Sequence, residues 1–223
     1  MIKALVFDLD GTTVNTLPSV ARAGNLALEE LGLPAQPVED YRYFCGSGSD
    51  ILMERAMKAA GGYTPELHAE ACIINRRHLM EAPTYGSKPY EGIVETLEKA
   101  KEKGYKLAVF SNKPDAATRE VVKELFGEGL FDAVRGQVAG VPIKPDPAGA
   151  FLLLEELKVK PEECIYFGDS GSDMVLAEAA GMYPAAVLWG FREKEELAEG
   201  GAKAFMEEPG DILELAKRLD GNV

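Results

Sequence analysis

Ala4-Leu5-Val6-Phe7-Asp8-Leu9-Asp10-Gly11-Thr12 is the stretch on which the fold turns. A short apolar run that ends abruptly in polar residues predicts a strand buried on both faces. Side chains alternate along a strand, so Asp8 and Asp10 face one way and Leu9 the other. Two neighbouring carboxylates at the rim of a core repel each other and lose hydration. They persist there when a cation or a proton-transfer task offsets that cost. Gly11 permits a sharp backbone turn where a ligand can approach.

Two later apolar runs end in the same manner. Ala108-Val109-Phe110 runs into Ser111-Asn112, and Ile165-Tyr166-Phe167 into Gly168-Asp169. Helical spacing predicts helices over 92–103, 115–125, 147–157, 173–180 and 212–219. Short apolar runs predict strands at 106–110, 164–167 and 185–188, with a weaker one beginning at Ala133-Val134. Strands alternating with helices imply an α/β fold, a Rossmann-like parallel sheet with helices on both faces. Ligands in such sheets bind at the carboxyl ends of the strands, where polar groups from distant parts of the chain converge. Lys144, in Ile143-Lys144-Pro145-Asp146-Pro147, adds a positive charge on a Pro-stiffened loop.

Residues 16–85 have a different texture. Leu17 to Leu31 has helical spacing, with Pro18 near its start and Gly32 at its end. A short helix candidate covers 38–44 and gives way to the turn Gly46-Ser47-Gly48. Another helix runs from Asp50 to Ala60 and stops at Gly61-Gly62. Thr64 reads as the N-cap of a third, with Pro65 in its first turn and Met80 near its end. No strand is predicted here. The expected organisation is a Rossmann-like core of residues 1–15 and 86–223, carrying an all-helical cap of residues 16–85 inserted after the first strand.

Composition narrows the partners. With 46% hydrophobic residues among 223, the chain can bury a substantial core. The charge count, 24 − 37 = −13, disfavours nucleic acid and anionic membranes, which both call for a basic footprint. A small anionic substrate needs only a locally positive pocket. Cys45, Cys72 and Cys164 are odd in number and scattered, as expected for buried thiols in a reducing compartment. No apolar stretch approaches membrane-spanning length. The expectation is a cytoplasmic protein, monomer or homodimer.

The motifs together resemble the haloacid dehalogenase superfamily, specifically its phosphatases. The resemblance spans the whole chain and rests on four motifs in order: Asp8-Leu9-Asp10-Gly11-Thr12, Ser111-Asn112, Lys144, and Gly168-Asp169-Ser170-Gly171-Ser172-Asp173. The helical insertion after the first motif resembles the cap of one branch of that superfamily. Ser111-Asn112-Lys113-Pro114 and Lys144-Pro145-Asp146-Pro147 look most like phosphoglycolate phosphatases.

The resemblance implies an Mg²⁺-dependent hydrolase of a small phosphate monoester. Asp8 would be the nucleophile, forming an aspartyl-phosphate. Asp10 would protonate the leaving alkoxide and then activate water. The metal would be held by Asp8, the backbone carbonyl of Asp10, and Asp169, with Asp173 a further ligand or a support for one. Ser111 would hydrogen-bond the phosphoryl oxygens and Lys144 neutralise them, with Thr12 and Asn112 also counted as substrate-binding. Arg55, beyond the Gly46-Ser47-Gly48 turn, could clamp a substrate carboxylate.

Plainer readings stand beside these. Asp8, Asp10 and Asp169 could cap turns and helices. Ser111 could be a strand-end hydroxyl, and Lys144 or Arg55 a surface cation. Asn112 and Lys113 read equally well as loop structure. His68, His78, Met53 and Met57 read as ordinary packing or surface residues. Val14-Asn15-Thr16 lacks the acidic residue usual after the first motif. A non-hydrolytic phosphoaspartate switch is the rival class, though it would need neither Asp10 nor a cap. A sugar-phosphate mutase is the alternative among enzymes, but such mutases carry a histidine where this chain has Val20.

Overall fold

The computed structural model describes residues 1–221, so the last two positions of the expected core range lie outside the described residues. Strand β1 (Ala4–Phe7) leads through the Asp8–Thr13 turn to the short β2 (Val14–Asn15). Helices α1 (Leu17–Glu30), α2 (Tyr41–Phe44), α3 (Gly48–Ala59) and α4 (Pro65–Glu81) follow, then β3 (Lys88–Pro89). The remainder alternates: α5 (Ile93–Glu102), β4 (Lys106–Pro114), α6 (Asp115–Phe126), β5 (Ala133–Gln137), α7 (Ala148–Leu157), β6 (Cys164–Gly168), α8 (Gly171–Ala180), β7 (Tyr183–Val187), α9 (Lys194–Glu199), β8 (Ala204–Met206) and α10 (Asp211–Leu219).

Six strands form one parallel sheet in the order β5-β4-β1-β6-β7-β8. The period-2 pattern of β1 explains why both faces are covered. Leu5 and Phe7 pack with Ile93 and Leu97 of α5 and Ile212 and Leu215 of α10. Val6 turns the other way, onto Leu153 and Leu154 of α7 and Leu176 and Ala177 of α8. Phe7 stacks on Phe167 with ring centroids 5.0 Å apart. The register pairs Phe7 with both Val109 and Phe167. Asp8, Phe110-Ser111 of β4 and Gly168-Asp169 therefore lie side by side at the carboxyl edge.

Helices α1 to α4 enclose a second cluster, built on Ala21, Leu28, Tyr41, Met53, Met57 and Ala71. Thr64 caps α4 as its sequence suggests, its hydroxyl accepting from Leu67 N at 3.2 Å. His68 and His78 are held by surface contacts, His68 Nε2 meeting Asp50 O at 2.8 Å and His78 Nε2 meeting Glu30 at 2.6 Å. The three cysteines are free and buried. Among the described residues, no helix is long and apolar enough to cross a membrane.

Four strands depart from expectation. β4 does not stop at Phe110 but continues through Ser111-Asn112-Lys113 to Pro114, with an irregular register against β5. Polar side chains can sit in this strand end because each finds a local partner. β2 and β3 pair antiparallel, Val14 with Pro89 and Asn15 with Lys88, and so form a narrow ribbon under the helices. β8 was also not anticipated. Strands of two or three residues carry no measurable periodicity.

Candidate active site

Asp8 ends β1 and is buried. One of its oxygens accepts from Leu9 N at 2.7 Å. The other lies 2.9 Å from Lys144 Nζ. Lys144 is itself buried, and its ammonium also donates to Asp173 Oδ1 at 2.8 Å and Tyr166 Oη at 3.1 Å. Burial alone would lower the lysine's pKa, but Asp173 and Asp8 outweigh it and hold the ammonium charged. Asp8 behaves oppositely. Desolvation raises its pKa to about 7 despite Lys144, with Asp173 and Asp10 adding repulsion.

Asp169 follows β6 and is 3% exposed. Its oxygens accept from Thr12 Oγ1 at 3.1 Å and Phe191 N at 2.7 Å. Burial, followed by repulsion from Asp173 and Asp8, raises its pKa to about 8. Glycines let the chain close around it. Gly11 has φ +83°, and a Cβ there would stand 2.1 Å from Asp169 Oδ2. Side chains other than glycine are thus excluded by backbone conformation and by space alike.

Asp8, Asp169 and Asp173 each bring an oxygen within 4.8 Å of the others. Buried carboxylates this close resist ionising together, and hard oxygen donors suit a divalent cation. The cluster fits a metal. Asp173 is the member least free to ligate. Its Oδ1 takes Lys144 and Tyr166, and its Oδ2 takes Ser170 N at 3.1 Å and Ser170 Oγ at 2.6 Å, closing a capping box on α8. The Tyr166 hydroxyl also reaches Phe110 O, at 3.0 Å.

Asp10 projects toward the same pocket, where Lys113 Nζ meets its Oδ1 at 3.0 Å. Ser111 lines the pocket, and its hydroxyl accepts from Lys113 N at 3.3 Å. Asn112 ties three segments together. Its amide donates to Gly46 O at 3.0 Å and Lys144 O at 3.2 Å, while its oxygen accepts from Lys144 N at 2.8 Å.

Two residues expected at the substrate lie elsewhere. Thr12 is fully buried behind the pocket and supports Asp169. Arg55 turns its guanidinium onto the carbonyls of Tyr43, Phe44 and Cys45, at 3.0–3.4 Å, and onto Ser47 Oγ. Carbonyls left free at the end of α2 attract a cation, and Arg55 is spent there. Conversely, Arg192 was not anticipated and lines the pocket. It donates to Arg42 O and, at 2.8 Å, to Cys45 O, while Arg42 Nη2 donates back to Gly190 O at 3.1 Å. Tyr166 gave only a core signal because it alternates with Phe167 in an apolar strand. The pocket, of about 50 Å³, is also lined by Val20, Leu52, Asn75 and Leu79 from the helical segment.

Comparison with known proteins places this geometry. A family model of haloacid dehalogenase-like hydrolases matches residues 2–181. The chain is 32% identical over 218 residues to a phosphoglycolate phosphatase of Mannheimia succiniciproducens, covering 96% of this chain and 97% of the relative. It is 33% identical over 190 residues to a phosphoglycolate phosphatase of Aquifex aeolicus, covering 85% and 86%. Among solved structures, CbbY from Rhodobacter sphaeroides in complex with phosphate superposes with a TM-score of 0.80 at 25% identity, covering 95% of this chain and 96% of that one. The strand-end carboxylates, their lysine and these likenesses agree: the chain belongs to the haloacid dehalogenase-like hydrolases and is a phosphatase of the phosphoglycolate phosphatase-like group.

Proposed function

We propose that the protein is an Mg²⁺-dependent phosphatase that hydrolyses a small phosphate monoester, 2-phosphoglycolate the leading candidate, through an aspartyl-phosphate. The observation that carries this is the placement of Asp8 between Leu9 N and Lys144, with Asp10 at the same pocket. Asp8 attacks phosphorus and the P–O bond to the alcohol breaks. Asp10 gives its proton to the departing alkoxide, then takes one from the water that attacks the phosphoaspartate. Inorganic phosphate leaves and Asp8 is restored.

Asp8, the Asp10 carbonyl and Asp169 would hold the metal, with Asp173 orienting Lys144 behind them. When bound, Mg²⁺ supplies charge neutralisation at the phosphoryl oxygens. Lys144 also cancels charge there, and Ser111 donates a hydrogen bond to the same oxygens. An arriving phosphoryl dianion competes with Asp10 for Lys113 and frees the carboxyl group for proton transfer. Residues 16–85 act as a cap over this floor. Val20 presents only methyl groups to the pocket, which gives a mutase no titratable group at that position.

The test is a phosphate-release screen of wild type and Asp8→Asn with Mg²⁺ against small monoesters, alongside labelling by beryllium fluoride. Wild type should release phosphate and bind the fluoride. The Asn variant should do neither. A variant with wild-type turnover would remove Asp8 from the nucleophile's role. A stable phosphoaspartate with no phosphate release would mark a switch instead.

A further inference from the structure

Among the polar side chains above the phosphoryl-binding floor, the buried amide of Asn75 has no partner. Asn75 sits on α4, is 3% exposed and lines the cavity. Its side-chain amide makes no hydrogen bond to another described residue, although buried amides are nearly always bonded. A second feature faces the same cavity. Gly46, Gly48 and Ser49 line it, at the start of the twelve-residue α3. Ser47, the N-cap, makes no side-chain cap bond, and the N–H groups of Gly48, Ser49 and Asp50 meet no backbone acceptor among the described residues. Free first-turn N–H groups and the positive end of a helix both favour an anion.

The cations nearby are already engaged. Lys113 is held by Asp10, and Arg192 by the Arg42 and Cys45 carbonyls and by Glu196 at 3.3 Å. Val20, Leu52, Leu79 and Phe191 supply apolar walls. What remains is a set of neutral N–H donors around a small cavity. A carboxylate can accept from the Asn75 NH₂ and the backbone N–H groups together, and the positive end of α3 favours its charge over a neutral hydroxyl.

We propose that the Asn75 amide and the N–H groups of Gly48 and Ser49 form the subsite for a carboxylate on the non-phosphoryl end of the substrate. This rests on the phosphatase reading of the same pocket and adds its specificity determinant. The carboxylate is read by neutral dipoles rather than by an arginine.

Calorimetric titration of the Mg²⁺-loaded protein with phosphonoacetate and with methylphosphonate separates the two ends of the ligand. Both carry the phosphonate, and only the first carries a carboxylate. Wild type should prefer phosphonoacetate by at least about tenfold. Asn75→Leu keeps the volume without the donors, and the preference should fall by about tenfold, the lower end of the range for hydrogen bonds to a charged group. Asn75→Asp should reverse it. Methylphosphonate affinity should stay within about threefold of wild type in both variants, which also reports that the floor is folded. No preference in wild type, or parallel loss of both ligands in the variants, would overturn the proposal. Because binding is read without turnover, a wild type that released no phosphate from any monoester would defeat the hydrolytic reading separately.

Discussion

Replacing Lys144 by methionine tests the electrostatics on which the site depends. The side chain is buried and bonded to Asp8 at 2.9 Å, Asp173 at 2.8 Å and Tyr166 at 3.1 Å. Methionine has similar length and no charge, so packing is largely kept while two buried carboxylates lose their cation. Removing one partner of a buried ion pair typically costs about 3–5 kcal/mol. For a domain of this size, each kcal/mol lowers Tm by roughly 2–4 °C, so a fall of about 6–20 °C is expected in metal-free protein at pH 8.

The pH dependence follows from Asp8. Its folded pKa, about 7, already lies above the ordinary carboxylate value of 3.8 because of burial, and loss of Lys144 raises it further. A carboxyl group with a raised folded pKa contributes stability that is present at low pH and lost as pH rises through that value. At pH 5 Asp8 keeps its proton and misses the lysine little. The deficit of Lys144→Met should therefore grow from pH 5 to pH 8. Differential scanning calorimetry with EDTA, at both pH values, reads this directly. A loss below about 1 kcal/mol that does not change with pH would refute the reasoning, because Lys144 would then not be compensating buried charge.

Other perturbations separate chemistry from support. Asp10→Asn should lower kcat by about 10²–10⁴-fold while leaving Mg²⁺ affinity nearly unchanged, since a backbone carbonyl is its proposed metal contact; steady-state kinetics and calorimetry check the two arms. Gly11→Ala forces a Cβ against Asp169 and should weaken Mg²⁺ binding by about 10–100-fold, measured by titration of the metal into apo protein. Arg55→Ala removes bonds to the end of α2 and should lower stability by about 1–2 kcal/mol, with KM for 2-phosphoglycolate within twofold of wild type. A selective rise in KM would return Arg55 to the substrate.

The sheet and its carboxyl edge were legible because their signals are local. Each apolar run stops at a polar residue, and three such stops align only in a parallel sheet. Asp8 and Asp169 could be picked out because a charged residue at such a stop has few structural uses, and Lys144 because it is a lone cation on a Pro-stiffened loop before a helix. Partners fixed by tertiary contact were not legible. Arg55 and Arg192 are both arginines near glycine turns, and nothing local says that the first binds helix-end carbonyls while the second reaches the pocket. Asn75 lies in a helix of mixed polarity, where sequence cannot tell an inward amide from a solvated one. Thr12 belongs to the first motif yet faces Asp169 from behind, because the turn at Gly11 rotates it away from the cavity.

The β2–β3 ribbon has a consequence for how such proteins can change. The chain departs at Asn15 and returns at Lys88, and these residues are paired. Seen from the sheet, the helices between them are a loop whose ends are already joined, about 4.7–4.9 Å apart as in any strand pair. Loop closure grows only logarithmically, by about 0.6 kcal/mol per doubling of length. A longer, shorter or differently folded segment can therefore be spliced between the same two residues while the carboxylate edge keeps its registry. On the proposed reading, the residues that handle phosphate and those that choose the rest of the molecule sit on pieces of chain that can be exchanged independently.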